Sequence, residues 1–274
     1  ITQIDNVYAS LEVDDLGFKN VSLFVDSYDV TGNSRYYRYE YEETFKIVAP
    51  KWNEYDLVTT SNSFPFTVGK QRKTKEERVC YQTLNSTSII QKETNGFVED
   101  RVTKFPVRIL ANDNTIISHR YSILVKQYIQ SLDAFTFYKT LNKLSGSESI
   151  FSQNQPGFFS GNVFSENDPD AKVVGLFEIS SVSEKRIFFN YQDFFPDETL
   201  PPYFTECEPF APTNKSDGGD PSDLYTRINS GTVKYFEDNQ NPDFTNPGPY
   251  FVVPSECGDC TKYGTNVKPS FWVD

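Results

Sequence analysis

The chain has 274 residues, 37% hydrophobic and 16% aromatic, with no methionine and two tryptophans, so its 24 phenylalanines and 17 tyrosines must supply much of the core. A formal net charge of −12 repels phosphate backbones and anionic bilayers, which argues against nucleic-acid binding and adhesion to a membrane surface. No run approaches the roughly 20 apolar residues of a membrane span. Ile1 is not an initiator methionine and no signal peptide follows it, so the sequence is expected to start inside a longer precursor.

In chain order, Val21 to Val25 reads as a strand and Val30-Thr31-Gly32-Asn33 as the turn after it. Tyr36 to Val48 alternates, with Tyr37, Tyr39, Tyr41, Phe45 and Ile47 on one face and Tyr36, Arg38, Glu40, Glu42 and Lys46 on the other. That is the pattern of a half-buried antiparallel strand. Phe105 to Leu110 and Ile116 to Ile129 read as further strands around an Asn112-Asp113-Asn114 turn.

One helix is predicted near 131–145. Ser131 can cap it, Asp133 suits its first turn and Gly146 can end it. Leu132, Phe135, Tyr138, Leu141 and Leu144 give it an apolar stripe. Gly161 to Phe164, Val173 to Ser180 and Lys185 to Tyr191 read as strands, joined by turns at Asp168-Pro169-Asp170 and Ser183-Glu184. Beyond Gln192, prolines 196, 201, 202, 209 and 212 make a loop-rich tail, with its most mobile part expected at Lys215 to Ser222 and a short helix expected over Leu224 to Phe236.

This strand spacing fits a mainly β fold, an immunoglobulin- or fibronectin-like antiparallel sandwich with an inserted amphipathic helix; a barrel is the alternative. Residues 1–192 are expected to form the sandwich, and 193–274 a Pro- and aromatic-rich tail fastened by disulfides to the same domain.

Four cysteines, Cys80, Cys207, Cys257 and Cys260, suit two disulfides in an oxidising compartment. Zinc would need a second close pair or more histidines. A Cys257–Cys260 bond would constrain little chain, and longer loops gain more. Each of the two is therefore expected to pair with Cys80 or Cys207, in an order the spacing leaves open.

Chemistry has few candidates. His119 is the chain's single histidine, expected on the apolar face of its strand beside Tyr121, and no G-x-S-x-G motif accompanies it. Glu40 and Glu42 share a strand face roughly 7 Å apart, a separation used by inverting glycosidases, but carboxylates two apart commonly just face water. Asp217, Asp220 and Asp223 lack the ligand spacing of a calcium loop and read as a solvated acidic loop. No catalytic, cofactor-binding or metal-binding residue is assigned. The aromatic pairs Tyr36-Tyr37, Phe158-Phe159, Phe188-Phe189 and Phe194-Phe195 put one ring of each pair on either face of an extended chain. The outward rings could line loops or form a platform for a sugar, a peptide or a protein.

Several blocks together carry a resemblance. They are Arg35-Tyr36-Tyr37-Arg38-Tyr39-Glu40-Tyr41-Glu42-Glu43-Thr44, Cys80-Tyr81, Thr94-Asn95-Gly96 with Glu99-Asp100-Arg101-Val102, and Phe105-Pro106-Val107. Then follow Arg120 to Tyr128, Gln155-Pro156 with Gly161-Asn162-Val163, Ser180 to Phe188, and the ending from Cys257 to Trp272. In this order they resemble the C-terminal portion of a Bacteroidota family of outer-membrane surface lipoproteins, domain of unknown function 4249. The resemblance implies export, an outward-facing position on the outer membrane, a lipid anchor upstream of this chain, and a TonB-dependent β-barrel transporter as partner. It supplies no catalytic residues.

The function expected on these grounds is a non-catalytic accessory subunit assisting substrate capture, the substrate being a glycan or a peptide. Alternatives are a structural subunit of a secretion, assembly or adhesion complex, and a surface hydrolase using acidic residues such as Glu40 and Glu42. The Pro-rich segment from Phe194 to Phe210 is expected to meet the transporter through Phe194, Phe195, Tyr203, Phe204 and Phe210, because proline restricts the unbound chain and aromatics make good anchors.

Overall fold

The computed structural model describes residues 2–146, 161–168, 170–171, 173–216 and 219–274. Phe158-Phe159, Gln155-Pro156, Pro169, Asp217 and Gly218 lie outside the described residues. The described chain is mainly β, with antiparallel sheets and no barrel. It divides into two compact units that interleave in sequence. Unit 1 comprises 1–43, 84–111 and 122–188; unit 2 comprises 44–83, 112–121 and 189–274. Segments 44–83 and 112–121 thus group with the tail.

Unit 1 is an immunoglobulin-like sandwich. One sheet has the order β1 (Ile4–Val13), β2 (Lys19–Asp29), β8 (Asp100–Ala111). Val7, Ala9 and Leu11 stand opposite Val25, Leu23 and Val21, so the apolar sets of both strands share the inner face. The edge strand β8 carries Pro106, and Lys104 adopts φ 47° beside register shifts against β2. These interrupt an otherwise open ladder, as edge strands tend to do.

The facing sheet uses the first half of β3 (Tyr36–Val48), with β7 (Ile90–Glu93), β9 (Arg120–Ile129) and β10 (Ser181–Asn190). The expected alternation in β3 holds: Tyr37 and Tyr39 are fully buried. Tyr39 meets Phe105 of β8 across the sandwich at 5.3 Å between ring centroids. Each fully buried large side chain contributes on the order of 2–3 kcal/mol. The helix α1 (Leu132–Gly146) lies between β9 and β10, with Ala134 and Phe135 buried and Leu132 left exposed at its first turn.

Three strand expectations need correction. Thr115–Ile117 forms a 3-10 turn rather than the start of β9, because the Asn114 side chain accepts the Ile116 N–H at 3.1 Å and offers the backbone a local alternative. His119 therefore precedes the strand. Stretches 161–164 and 173–180 are extended but form no ladder; the Asn162 amide bonds both backbone groups of Phe177, at 2.7 and 2.8 Å, in place of one. The third strand of that group is β10, beginning at Ser181.

Unit 2 contains strands that sequence reading did not predict, some in the tail and some in segment 44–83. The hairpin β4 (Tyr55–Ser61) and β5 (Thr67–Arg72) and the pair β11 (Val233–Asp238) and β12 (Tyr250–Pro254) are both antiparallel. The expected helix is α2 (Asp223–Asn229), capped by Ser222, and the chain turns after it into β11 rather than continuing helical to Phe236. Leu57, Leu224, Val233, Tyr235 and Val252 form the core, with Phe210 and Ile228 packed on it. The second half of β3 joins β6 (Val79–Asn85), where the Thr44 and Thr83 hydroxyls bond at 2.9 Å.

Both disulfides lie in unit 2. Cys80 pairs with Cys260 and Cys207 with Cys257, each spanning a long stretch as expected. The ending is fastened to β6 again by paired backbone bonds between Tyr81 and Thr265 and by Trp272 packed edge-on against Tyr81 at 5.0 Å. Gly264 permits this approach: a Cβ there would stand 2.5 Å from the Tyr81 carbonyl oxygen.

Candidate functional site

At one end of unit 1, two loops are organised around two carboxylates. Asp29 closes the β2–β3 loop, accepting from Thr31 N and Oγ1 at 2.9 and 2.7 Å, Asn33 N at 3.1 Å, and Ser34 N and Oγ at 3.0 and 2.8 Å. Burial alone would raise its pKa. The hydrogen bonds from the Thr31 and Ser34 side chains and from the backbone outweigh that and hold the carboxyl well below the usual range.

Asp100, 1% exposed, ties this loop to the β7–β8 loop. It accepts from Tyr37 Oη at 2.7 Å, Thr94 Oγ1 at 2.5 Å, Arg35 N at 2.9 Å and Ser34 N at 3.0 Å. Burial and then the Asp100 bond push the Tyr37 phenol pKa far up, so it remains a donor. Arg35 sits at φ 45°, a region costly for a non-glycine residue. Its guanidinium repays the position by donating to Gly32 O at 2.8 Å, Phe97 O at 3.1 Å and Thr94 O at 3.3 Å.

The outcome is a pair of loops fixed from beneath that present apolar side chains to solvent. Val30 is 78%, Phe97 56% and Val98 99% exposed. Sequence reading placed Arg35, Thr94 and Asp100 in the blocks that carry the family resemblance and Val30 in a turn, but gave none of them a role. An Asp-x-Thr-x-x-Ser turn is visible in the sequence, but its partnership with Asp100 is not.

The residues singled out from the sequence are placed as follows. Glu40 and Glu42 share the outer face of β3, and each is held by an arginine. Arg38 pairs with Glu40, which also accepts from Tyr128 Oη at 3.1 Å, and the Arg38 guanidinium lies 4.4 Å over the Tyr128 ring and 5.0 Å from that of Tyr138. Arg186 donates to Glu42 at 2.8 Å and to Ser122 Oγ at 3.1 Å. A pair that sequence reading missed, buried Glu43 with half-buried Arg108, is bidentate at 3.1 Å. His119 is half-buried; burial, then the Lys46 charge, lowers its pKa and keeps the ring neutral.

Asp223 lies in the first turn of α2 and pairs with Arg227 at 2.9 Å. Among the described residues, no group of three or more His, Cys, Asp or Glu could hold a metal ion. Of the rings expected to anchor a partner, Phe195 is buried against Tyr191, Phe194 packs edge-on to Phe189, and Tyr203 and Phe204 pack on Tyr263. Phe210 sits against the unit 2 core. None of the five is in an exposed position. Among the described residues, no helix is long and apolar enough to cross a membrane.

No curated protein and no solved structure matches this chain. A family model described as domain of unknown function (DUF4249) matches residues 1–186, which span the unit 1 sandwich from β1 into β10 and stop before Cys207, Cys257 and Cys260. With two thirds of its length covered by that match, the chain belongs to the DUF4249 family.

Proposed function

We propose that this chain is a non-catalytic binding module, an accessory subunit that works on the outer face of the outer membrane beside a TonB-dependent β-barrel transporter and assists substrate capture. The observation that carries the binding part is the loop end of unit 1. Val30, Phe97 and Val98 are exposed on loops that Asp29, Asp100 and Arg35 hold in place. A preordered loop loses little conformational entropy on docking, so its apolar contacts convert more fully into affinity. The transporter and the lipid anchor rest on the family resemblance alone. The hydrolase alternative gains nothing from Glu40 and Glu42, since each carboxylate already has a cationic partner.

The loop end replaces the Phe194–Phe210 segment as the proposed contact surface, because those rings are engaged within unit 2. The test is gentle detergent extraction of the tagged native protein. Co-elution of a β-barrel with the wild type, lost in a Phe97→Ala/Val98→Asp variant of unchanged melting temperature, is the expected result. Elution of the wild type without a barrel defeats the transporter assignment. Co-elution unaffected by the variant moves the surface elsewhere.

A further inference from the structure

Unit 2 contains an open pocket of about 530 Å³ that the loop-end reading does not use. Its lining is Trp52, Asn53, Glu54, Tyr55, Lys70 and Tyr235. The volume falls within the range of small-molecule sites.

The pocket wall is held in place by local bonds. Asn53 acts as a clamp: its Nδ2 donates to Phe236 O of β11 at 2.7 Å, and its Oδ1 accepts the Tyr55 N–H at 2.9 Å. Lys73 N donates to Glu54 O at 2.8 Å. Trp52 and Tyr55 are thereby fixed on either side of the clamp, with Tyr55 39% exposed. The Tyr55 hydroxyl forms no hydrogen bond within the described residues, and neither does the Trp52 indole N–H.

The lining charges are compensated. Lys70 Nζ donates to both oxygens of Asp238 at 2.8 and 2.9 Å, and Glu54 pairs with Arg72 at 3.3 Å. Tyr235 Oη also donates to Asp238, at 2.8 Å. A phosphate or carboxylate ligand would therefore have to compete with carboxylates already seated on Lys70 and Arg72. Lys73 and Arg78 each stand 5.8 Å from the Trp52 ring centroid, so what is left over is the exposed Tyr55 ring with the remaining surface of Trp52, a free phenolic hydroxyl and the outer lone pairs of Glu54. Aromatic faces accept the axial C–H face of a pyranose chair, and the polar atoms accept from or donate to the hydroxyls around its rim.

From this arrangement we propose that the pocket binds a neutral sugar ring, with Tyr55 and Trp52 as the aromatic platform and Glu54 and the Tyr55 hydroxyl as hydrogen-bonding groups. This deepens the substrate-capture reading and rests on it for its biological setting. The two fail separately: sugar binding needs no transporter, and co-elution of a barrel needs no sugar.

The chain has two tryptophans, so protein labelled with 5-fluorotryptophan gives two fluorine resonances, assigned with a Trp52→Phe variant. The probes are maltotriose, cellotriose and mannotriose, with trigalacturonate as the anionic control. The expected result is a saturable shift of the Trp52 resonance with at least one neutral trisaccharide, the Trp272 resonance staying still. Tyr55→Ala, at an exposed ring, should weaken that binding about tenfold without moving the melting temperature. Absence of a Trp52 shift with all three neutral sugars up to about 10 mM overturns the proposal. So does a preference for trigalacturonate, or unchanged affinity in Tyr55→Ala.

Discussion

In unit 1 the irregular chain between strands is held by carboxylates; in unit 2 it is held by sulfur. The two loops at the end of the sandwich converge on Asp29 and Asp100, which together take up five backbone and four side-chain bonds. The ending of unit 2 meets β6 in the isolated bridge between Tyr81 and Thr265 and is pinned by Cys80–Cys260 and Cys207–Cys257. The difference is one of mechanism as well as chemistry. A disulfide acts mainly on the unfolded chain, by removing its freedom. A buried carboxylate acts on the folded chain, by giving otherwise orphaned N–H and O–H groups a partner. The second device fixes local geometry more finely, which suits a surface that has to be presented in one shape.

The largest expected effect is in unit 2. Replacing Cys80 and Cys260 together by serine should cost about 5 kcal/mol in the chain-entropy picture, and replacing Cys207 and Cys257 about 4 kcal/mol, because the sequence separations are 180 and 50 residues. Urea denaturation with and without reductant measures this. Equal stability in both conditions would mean that packing such as Trp272 on Tyr81, rather than the crosslink, holds the ending.

Next in size is Asp100→Ala, which strands the Tyr37 and Thr94 hydroxyls and the Arg35 N–H; we expect a loss of about 3 kcal/mol. Hydrogen exchange sharpens the comparison. The alanine variant should deprotect the 30–37 and 94–100 segments, whereas reduction of the wild type should deprotect 257–266. Deprotection of the same segments by both treatments would erase the distinction between the two devices.

How much of this could be read from the chain depends on how far apart the partners are. The alternation of Tyr37, Tyr39, Phe45 and Ile47 was enough to orient β3, and the Ser131-to-Gly146 pattern was enough to place α1. Four cysteines and a spacing argument gave crosslinks to distant partners, though not the pairing. Hairpin β4–β5 was missed because Lys70, Gln71 and Arg72 give an exposed polar strand without an apolar face. The 161–164 and 173–180 segments have strand composition, yet the Asn162 amide satisfies the backbone that a ladder would have used. The loop-end carboxylates were illegible for a related reason: Ser34 and Arg35 meet Asp100 across more than sixty residues. Glu40 and Glu42 looked available until Arg186, far along the chain, was brought beside Glu42.

A smaller effect separates the two units by pH. The Asp29 carboxyl is held below its unfolded value of 3.8, so its contribution is complete above that pH and declines as pH falls below about 4. Disulfides do not titrate in this range. Acid should therefore loosen the 29–34 loop before the 257–266 ending, and Asp29→Asn should remove that part of the acid sensitivity. Exchange-monitored acid titration in which both regions loosen together would contradict the assignment.

The most direct test concerns the claim that the fixed loop end of unit 1 is the binding surface. A photo-crosslinking amino acid placed at Val98, and in separate cells at Phe204 of unit 2, can be activated in intact cells. The substitution at Val98, which is 99% exposed, should leave the melting temperature nearly unchanged, and position 204, whose ring packs on Tyr263, reports the packed alternative. We expect a covalent adduct to a β-barrel from position 98 and none from position 204. An adduct from position 204 with none from position 98 would contradict the claim.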